Sequence, residues 1–204
     1  MPNYTWDPVA QRYRTAAGRF VPAAAVQAAV DRVAETTALR LRGLTAQLVD
    51  GTLSLVTWQQ GMAAELKAAH LATTAAARGG WAQLSPADFG WVGQRLRGQY
   101  AYLSQWATAL GHGLAPLDGR ALARADLYGL AAGNTYTEAL RRGARLAGRE
   151  EERRVLRASE SCAGCRAQAA RGWQPAGTLP GIGTQECRAR CRCSFELRTR
   201  GRAA

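Results

Sequence analysis

The chain has 204 residues, enough for one medium domain or one domain with a small appendage, and its net charge is +12. Lys67 is the only lysine, and from Arg141 onward fifteen arginines stand against six glutamates, so most of the excess sits in the last third. The alanine-rich stretch "VPAAAVQAAV" (21–30) is too short and too weakly apolar for a membrane span and lies too far in for a secretory signal.

Residues 1–22 read as an extended amino-terminal arm. Two X-Pro breaks, Asp7-Pro8 and Val21-Pro22, interrupt it, and "RYRTAAGRFVP" gives two short extended pieces joined by a turn at Ala17-Gly18. From residue 23 the period changes. Val26, Val30, Val33, Thr37, Leu41, Leu44 and Leu48 recur at steps of three and four, the stripe of a long amphipathic helix that Asp50-Gly51 ends. A second stripe, Leu55, Trp58, Met62, Leu66 and Ala69, runs to a stop at "RGG" (78–80).

The third helix has a strong start in "SPAD" (85–88). Ser85 is suited to cap, Pro86 to the first helical position, and Asp88 to the first turn. Its stripe is Phe89, Val92, Leu96, Gln99, Leu103, Trp106 and Leu110, and "GHGLAPLDG" (111–119) is a loop. A fourth helical segment, about 120–148, contains Gly129, Gly133 and Gly143. Glycine costs helix propensity, so these positions predict close approach of a neighbouring backbone. Residues 23–148 are therefore expected to form a helical bundle body, with 149–160, "REEERRVLRASE", as a charged helical connector.

Beyond residue 160 the apolar supply falls to Trp173, Leu179, Ile182, Phe195 and Leu197, too little to hold a module together by burial. All five cysteines lie here, Cys162, Cys165, Cys187, Cys191 and Cys193, spaced C-x2-C-x21-C-x3-C-x-C. In a chain made in the cytosol, thiols stay reduced, and clustered cysteines point to metal before disulfides. The first pair has the spacing that brings two thiolates to one tetrahedral ion. The last three offer two further ligands and one spare. If "CRCSFEL" is a strand, Cys191, Cys193, Phe195 and Leu197 share one face while Arg192 and Glu196 point away, so either Cys191 or Cys193 can be the fourth ligand.

Structural Zn2+ is the reading taken. Disulfides formed outside the cell with one free thiol, a redox C-x-x-C, and a catalytic zinc are its rivals. His70, on a helix, and His112, in the Gly-flanked loop, read as solvated or cap-making residues. Residues 161–204 are thus a basic, Cys-rich module with short strands. Arg188, Arg190 and Arg192 are its candidate contacts to nucleic acid; the plainer reading of these arginines is a solvated face. The fold class expected for the whole is mainly α.

Five stretches occur in an order that resembles a known family. They are "RYRTAAGRFVP" (12–22), "ARADLYGLAAGNTYTEA" (123–139), "EERRVLRASESCAGC" (151–165), "RGWQPAGTLPGIG" (171–183) and "CRARCRC" (187–193). Together they resemble the head-morphogenesis, or minor capsid, proteins of tailed bacteriophages, the Mu F-like group. In that group the signature is a C-x-x-C and a Cys-Arg-Cys close, often with His-Pro before it. Cys162 and Cys165 match the first half, and Cys191-Arg192-Cys193 match the close. Cys187 stands near the usual histidine position, one residue further upstream, which is a departure.

The resemblance implies a non-enzymatic virion component, made in the bacterial cytoplasm and placed in the head interior or portal region. Its implied partners are phage portal or capsid proteins and packaged double-stranded DNA, bound without regard to sequence. A host or prophage regulator whose zinc module reads nucleic acid is the alternative. An enzyme would need a carboxylate cluster or a catalytic histidine, whereas Asp88, Asp118 and Asp126 read as single helix-start, loop or surface residues.

Overall fold

A computed structural model of the chain describes residues 4–7, 10 and 12–200; Pro8 of the first X-Pro break and residues 201–204 of the basic module lie outside the described residues. The fold is mainly helical. A three-stranded antiparallel sheet opens it, with β1 (Thr5–Asp7), β2 (Arg12–Arg14) and β3 (Phe20–Val21) in that order. Helices α1 (Ala23–Val49), α2 (Leu55–Arg78), α3 (Pro86–Gly111) and α4 (Gly119–Leu146) form the body. Among the described residues no helix is long and apolar enough to cross a membrane.

The helix ends follow from the punctuation in the sequence. Ser54 accepts from the Thr57 N–H at 3.2 Å to start α2, and Gly79 closes it in the left-handed region at φ 93°. A Cβ on Gly79 would lie 2.4 Å from the backbone nitrogen of Trp6, so the first strand rests directly on this helix end. Ser85 and Asp88 form a reciprocal capping box at the start of α3.

The core joins all four helices. Trp58 and Trp106 meet edge to face at 4.9 Å, and Trp106 stacks on Tyr128 at 5.8 Å, with Leu41, Met62, Leu66 and Leu103 around them. Thr45 Oγ1 accepts from the Trp58 indole at 3.0 Å, so the buried N–H is satisfied. Gly129 has the role its position predicts. A Cβ there would lie 2.4 Å from the Ala38 backbone nitrogen, which means α1 and α4 touch main chain to main chain.

Three expectations are corrected. Phe89 is 50% exposed, and Asp88 turns inward in its place. That aspartate is the helix-start residue expected, and it also accepts from Arg78 (2.7 Å) and Arg142 (2.6 Å), tying α2 and α4 to the start of α3. His70 is buried, not solvated, with Nδ1 2.7 Å from the Thr135 hydroxyl, and burial pushes its pKa down to about 4. Residues 149–160 are not a helical connector either. They contain β4 (Glu151–Val155), the middle strand of a second antiparallel sheet between β5 (Gln174–Pro175) and β6 (Ser194–Arg198).

The charged side chains of β4 alternate between its two faces, as a strand requires. Glu152 and Arg154 are buried, while Arg153 faces out and pairs with Glu196 of β6 at 2.7 Å. On that outer side Trp173 lies between the Arg153 and Arg198 guanidiniums, at 4.9 and 4.1 Å from its ring centre. A short helix, α5 (Ala163–Ala170), follows β4.

The inner side of the sheet sits on α4, and the contacts are polar. Asn134, Glu138 and Arg141 follow one another at steps of four and three on one face of α4. Asn134 donates to the Arg188 carbonyl (3.2 Å), Glu138 accepts from the Ile182 N–H (2.6 Å), and Arg141 Nε donates to Glu152 at 2.7 Å.

Candidate metal centre

Each cysteine is placed by local backbone geometry. Cys162 is the N-cap of α5, where its sulfur accepts from the Cys165 N–H at 3.4 Å; the first helical turn carries Cys165 round to face inward. Cys187 precedes a 3₁₀ turn, Arg188–Arg190, that returns the chain to Cys191. Arg188 enters that turn at φ 44°, a left-handed conformation uncommon outside glycine, and its carbonyl is the group that Asn134 holds. The chain then alternates into β6, with Cys191 and Cys193 buried and Arg192 exposed. Phe195 and Leu197 follow the two cysteines in register and Glu196 faces the other way, the alternation that the sequence predicts.

The five sulfurs gather around Cys165. Cys165 is fully buried, and its sulfur lies 3.7 Å from that of Cys187 and 3.8 Å from that of Cys191. Four thiolates held at ~2.3 Å by a tetrahedral ion are about 3.8 Å apart, so these separations are those of a metal–thiolate edge. The sulfurs fall into two groups of three, Cys162/Cys165/Cys187 and Cys165/Cys191/Cys193, with all members of a group within 4.8 Å of one another. Cys165 is common to both. Ile182 and Phe195 close the cluster from the apolar side.

The electrostatics of the thiols are uneven. Backbone N–H groups of Cys165 and Cys187 hold the Cys162 thiol below its ordinary value. Burial acts to raise Cys191, but N–H groups of Cys193 and Gly183 outweigh it, and its thiol also ends below the usual value. Burial pushes Cys165 well up and Cys187 up to about 12, and it raises Cys193 as well. Packed this closely in an apolar setting, the sulfurs can be thiolates only if a cation shares the cluster.

A metal ion fits that requirement, and a cleft of about 470 Å³ lined by Ser159, Glu160, Ser161, Cys162 and Arg166 reaches the cluster from solvent. Neither histidine is among the grouped ligands. Arg188, Arg190 and Arg192 are exposed around the cluster, and among the described residues none of their guanidiniums makes an ion pair. The contributions of Asn134, Glu138, Glu152 and Arg154 are absent from the sequence reading. The three-and-four spacing of polar residues on α4 was a usable signal for two of them.

Comparison of the chain with family models, with curated proteins and with solved structures yields no match.

Proposed function

We propose that the chain is a minor head protein of a tailed bacteriophage, in which the cysteines hold one structural Zn2+ and the helical body docks on portal or capsid. The ordered motifs from residue 12 to residue 193 support the virion assignment. Zinc is favoured by an all-sulfur donor set at tetrahedral spacing. The role is structural, not catalytic, because the central sulfur is fully buried and the cluster offers more thiols than one ion takes.

The observation that carries the DNA part is the trio Arg188, Arg190 and Arg192, held out from the cluster without carboxylate partners among the described residues. Guanidinium forks in that state bind phosphate readily, and packaged DNA presents it densely. Binding of the purified protein to duplex DNA is expected to ignore sequence and to weaken steeply with salt. Changing all three arginines to alanine should flatten the log–log salt slope by about 2 to 3, since each phosphate contact contributes ~0.9. The same variant should still enter heads, with the body supplying the docking surface. An unchanged slope would reassign the trio to a protein neighbour. A protein absent from purified particles, yet selective for one DNA sequence, would replace the virion reading by the regulator.

A further inference from the structure

Arg154 is 3% exposed, and it is the one charged side chain of β4 aimed at the sulfurs. Its Nη1 lies 3.9 Å from Cys165 Sγ. Nη2 donates to the Pro180 and Gly181 carbonyls, the guanidinium carbon sits 5.1 Å from the centre of the Phe195 ring, and Nε has no hydrogen-bond partner among the described residues. Cys193 also feels its charge.

The contrast with Arg141 decides the argument. Both guanidiniums lie against Phe195, at 4.1 Å for Arg141. Arg141 has two carboxylates, Glu138 and Glu152, whereas no described carboxylate pairs with Arg154. Carbonyls and a ring supply only partial negative charge, and a buried cation needs more than that. The sulfurs are the remaining source. Four thiolates around a divalent ion leave a net charge of about −2.

We propose that Arg154 is the buried counter-charge of the metal–thiolate centre, and that it tightens metal binding by cancelling one unit of that charge. The proposal rests on the metal reading. It concerns a positioning residue, which touches the sulfurs and not the ion.

The test uses full-length protein with Zn2+ and Co2+ as probes. Arg154→Met keeps the apolar stem and removes the charge; Arg154→Lys keeps the charge. Zinc affinity, measured by competition with a chelator, should fall at least tenfold in the Met variant and stay within a few-fold of wild type in the Lys variant. The sulfur-to-cobalt charge-transfer band should shift to lower energy in the Met variant only, because loss of a nearby cation raises the thiolate lone pairs. A mere packing role would not move that band. Wild-type affinity and an unshifted band in a folded Met variant would overturn the proposal. If the Met variant does not fold, the Lys variant decides: a tenfold loss of affinity there counts against it. Absence of any sulfur-to-cobalt band in the wild type would instead defeat the metal reading itself.

Discussion

Cys165→Ser is expected to unfold the C-terminal module while leaving the helical body standing. Cys165 belongs to both sulfur groups and is fully buried, so a serine there breaks both groups at once and leaves a hydroxyl among sulfurs. Among the described residues, the apolar cluster around the sulfurs is just Ile182, Phe195 and the cysteines, with Leu179 buried nearby in the sequence. Metal binding to small structural sites supplies about 10–16 kcal/mol in isolated peptides, far more than this cluster gains by burial. The variant should lose bound metal, become cleavable by protease beyond residue 160, and retain most of its helical circular dichroism. Trp58, Trp106 and their neighbours hold the body without help from sulfur. Full protease resistance after the metal is stripped from wild type would contradict this.

Glu152→Gln should loosen the module from α4, at a cost of about 3–5 kcal/mol, the usual penalty for breaking a buried ion pair from one side. Glu152 is fully buried, accepts from Arg141 Nε at 2.7 Å and from the Leu179 N–H at 3.0 Å, and glutamine cannot return the charge. Burial alone would raise its pKa, but hydrogen bonds from Arg141, Gly177 and Leu179 outweigh that and hold it below the usual 4.5. Its contribution is therefore whole above 4.5 and is lost as the pH falls through the lowered folded value.

His70 acts in a higher window. Its folded pKa is about 4 against 6.5 when free, so the unfolded chain takes up a proton first and stability declines from near pH 6.5 down to 4. Chemical denaturation across pH 8 to 3 should show both stages in wild type. The Gln variant should start from a lower plateau and show a smaller lower stage; what is left belongs to carboxylates such as Asp88, where burial is outweighed by hydrogen bonds from Arg78 and Ser85. A full lower stage in that variant would remove Glu152 from the account.

The helices were legible because their signals are local. Caps, stops and stripes all lie within a few residues of the structure they specify, as with Ser85 and Asp88, and Gly129 announced a close helix contact correctly. The cysteines were legible as a group able to hold a metal, since their spacing and number are visible without a fold. What the sequence hid are interactions between distant elements. Residues 149–160 look like a solvated helix because charged residues favour helical surfaces, yet Glu152 and Arg154 are buried. Glu152 meets Arg141, and Arg154 meets the sulfurs. An alternation of buried and exposed positions inside a run of charges carries no hydrophobic contrast to reveal a strand. The same blindness placed His70 in solvent, where Thr135 on another helix meets it in the core, and hid the arginines that Asp88 binds from its helix start.

The central claim is that a metal ion joins the sulfurs around Cys165. It is tested most directly by X-ray absorption at the zinc edge on full-length protein purified under reducing conditions, with metal content read from its native mass. One zinc per chain in an all-sulfur coordination sphere, at about 2.3 Å, is the predicted result. A native protein without metal, whose five thiols all react with alkylating reagent, would contradict it.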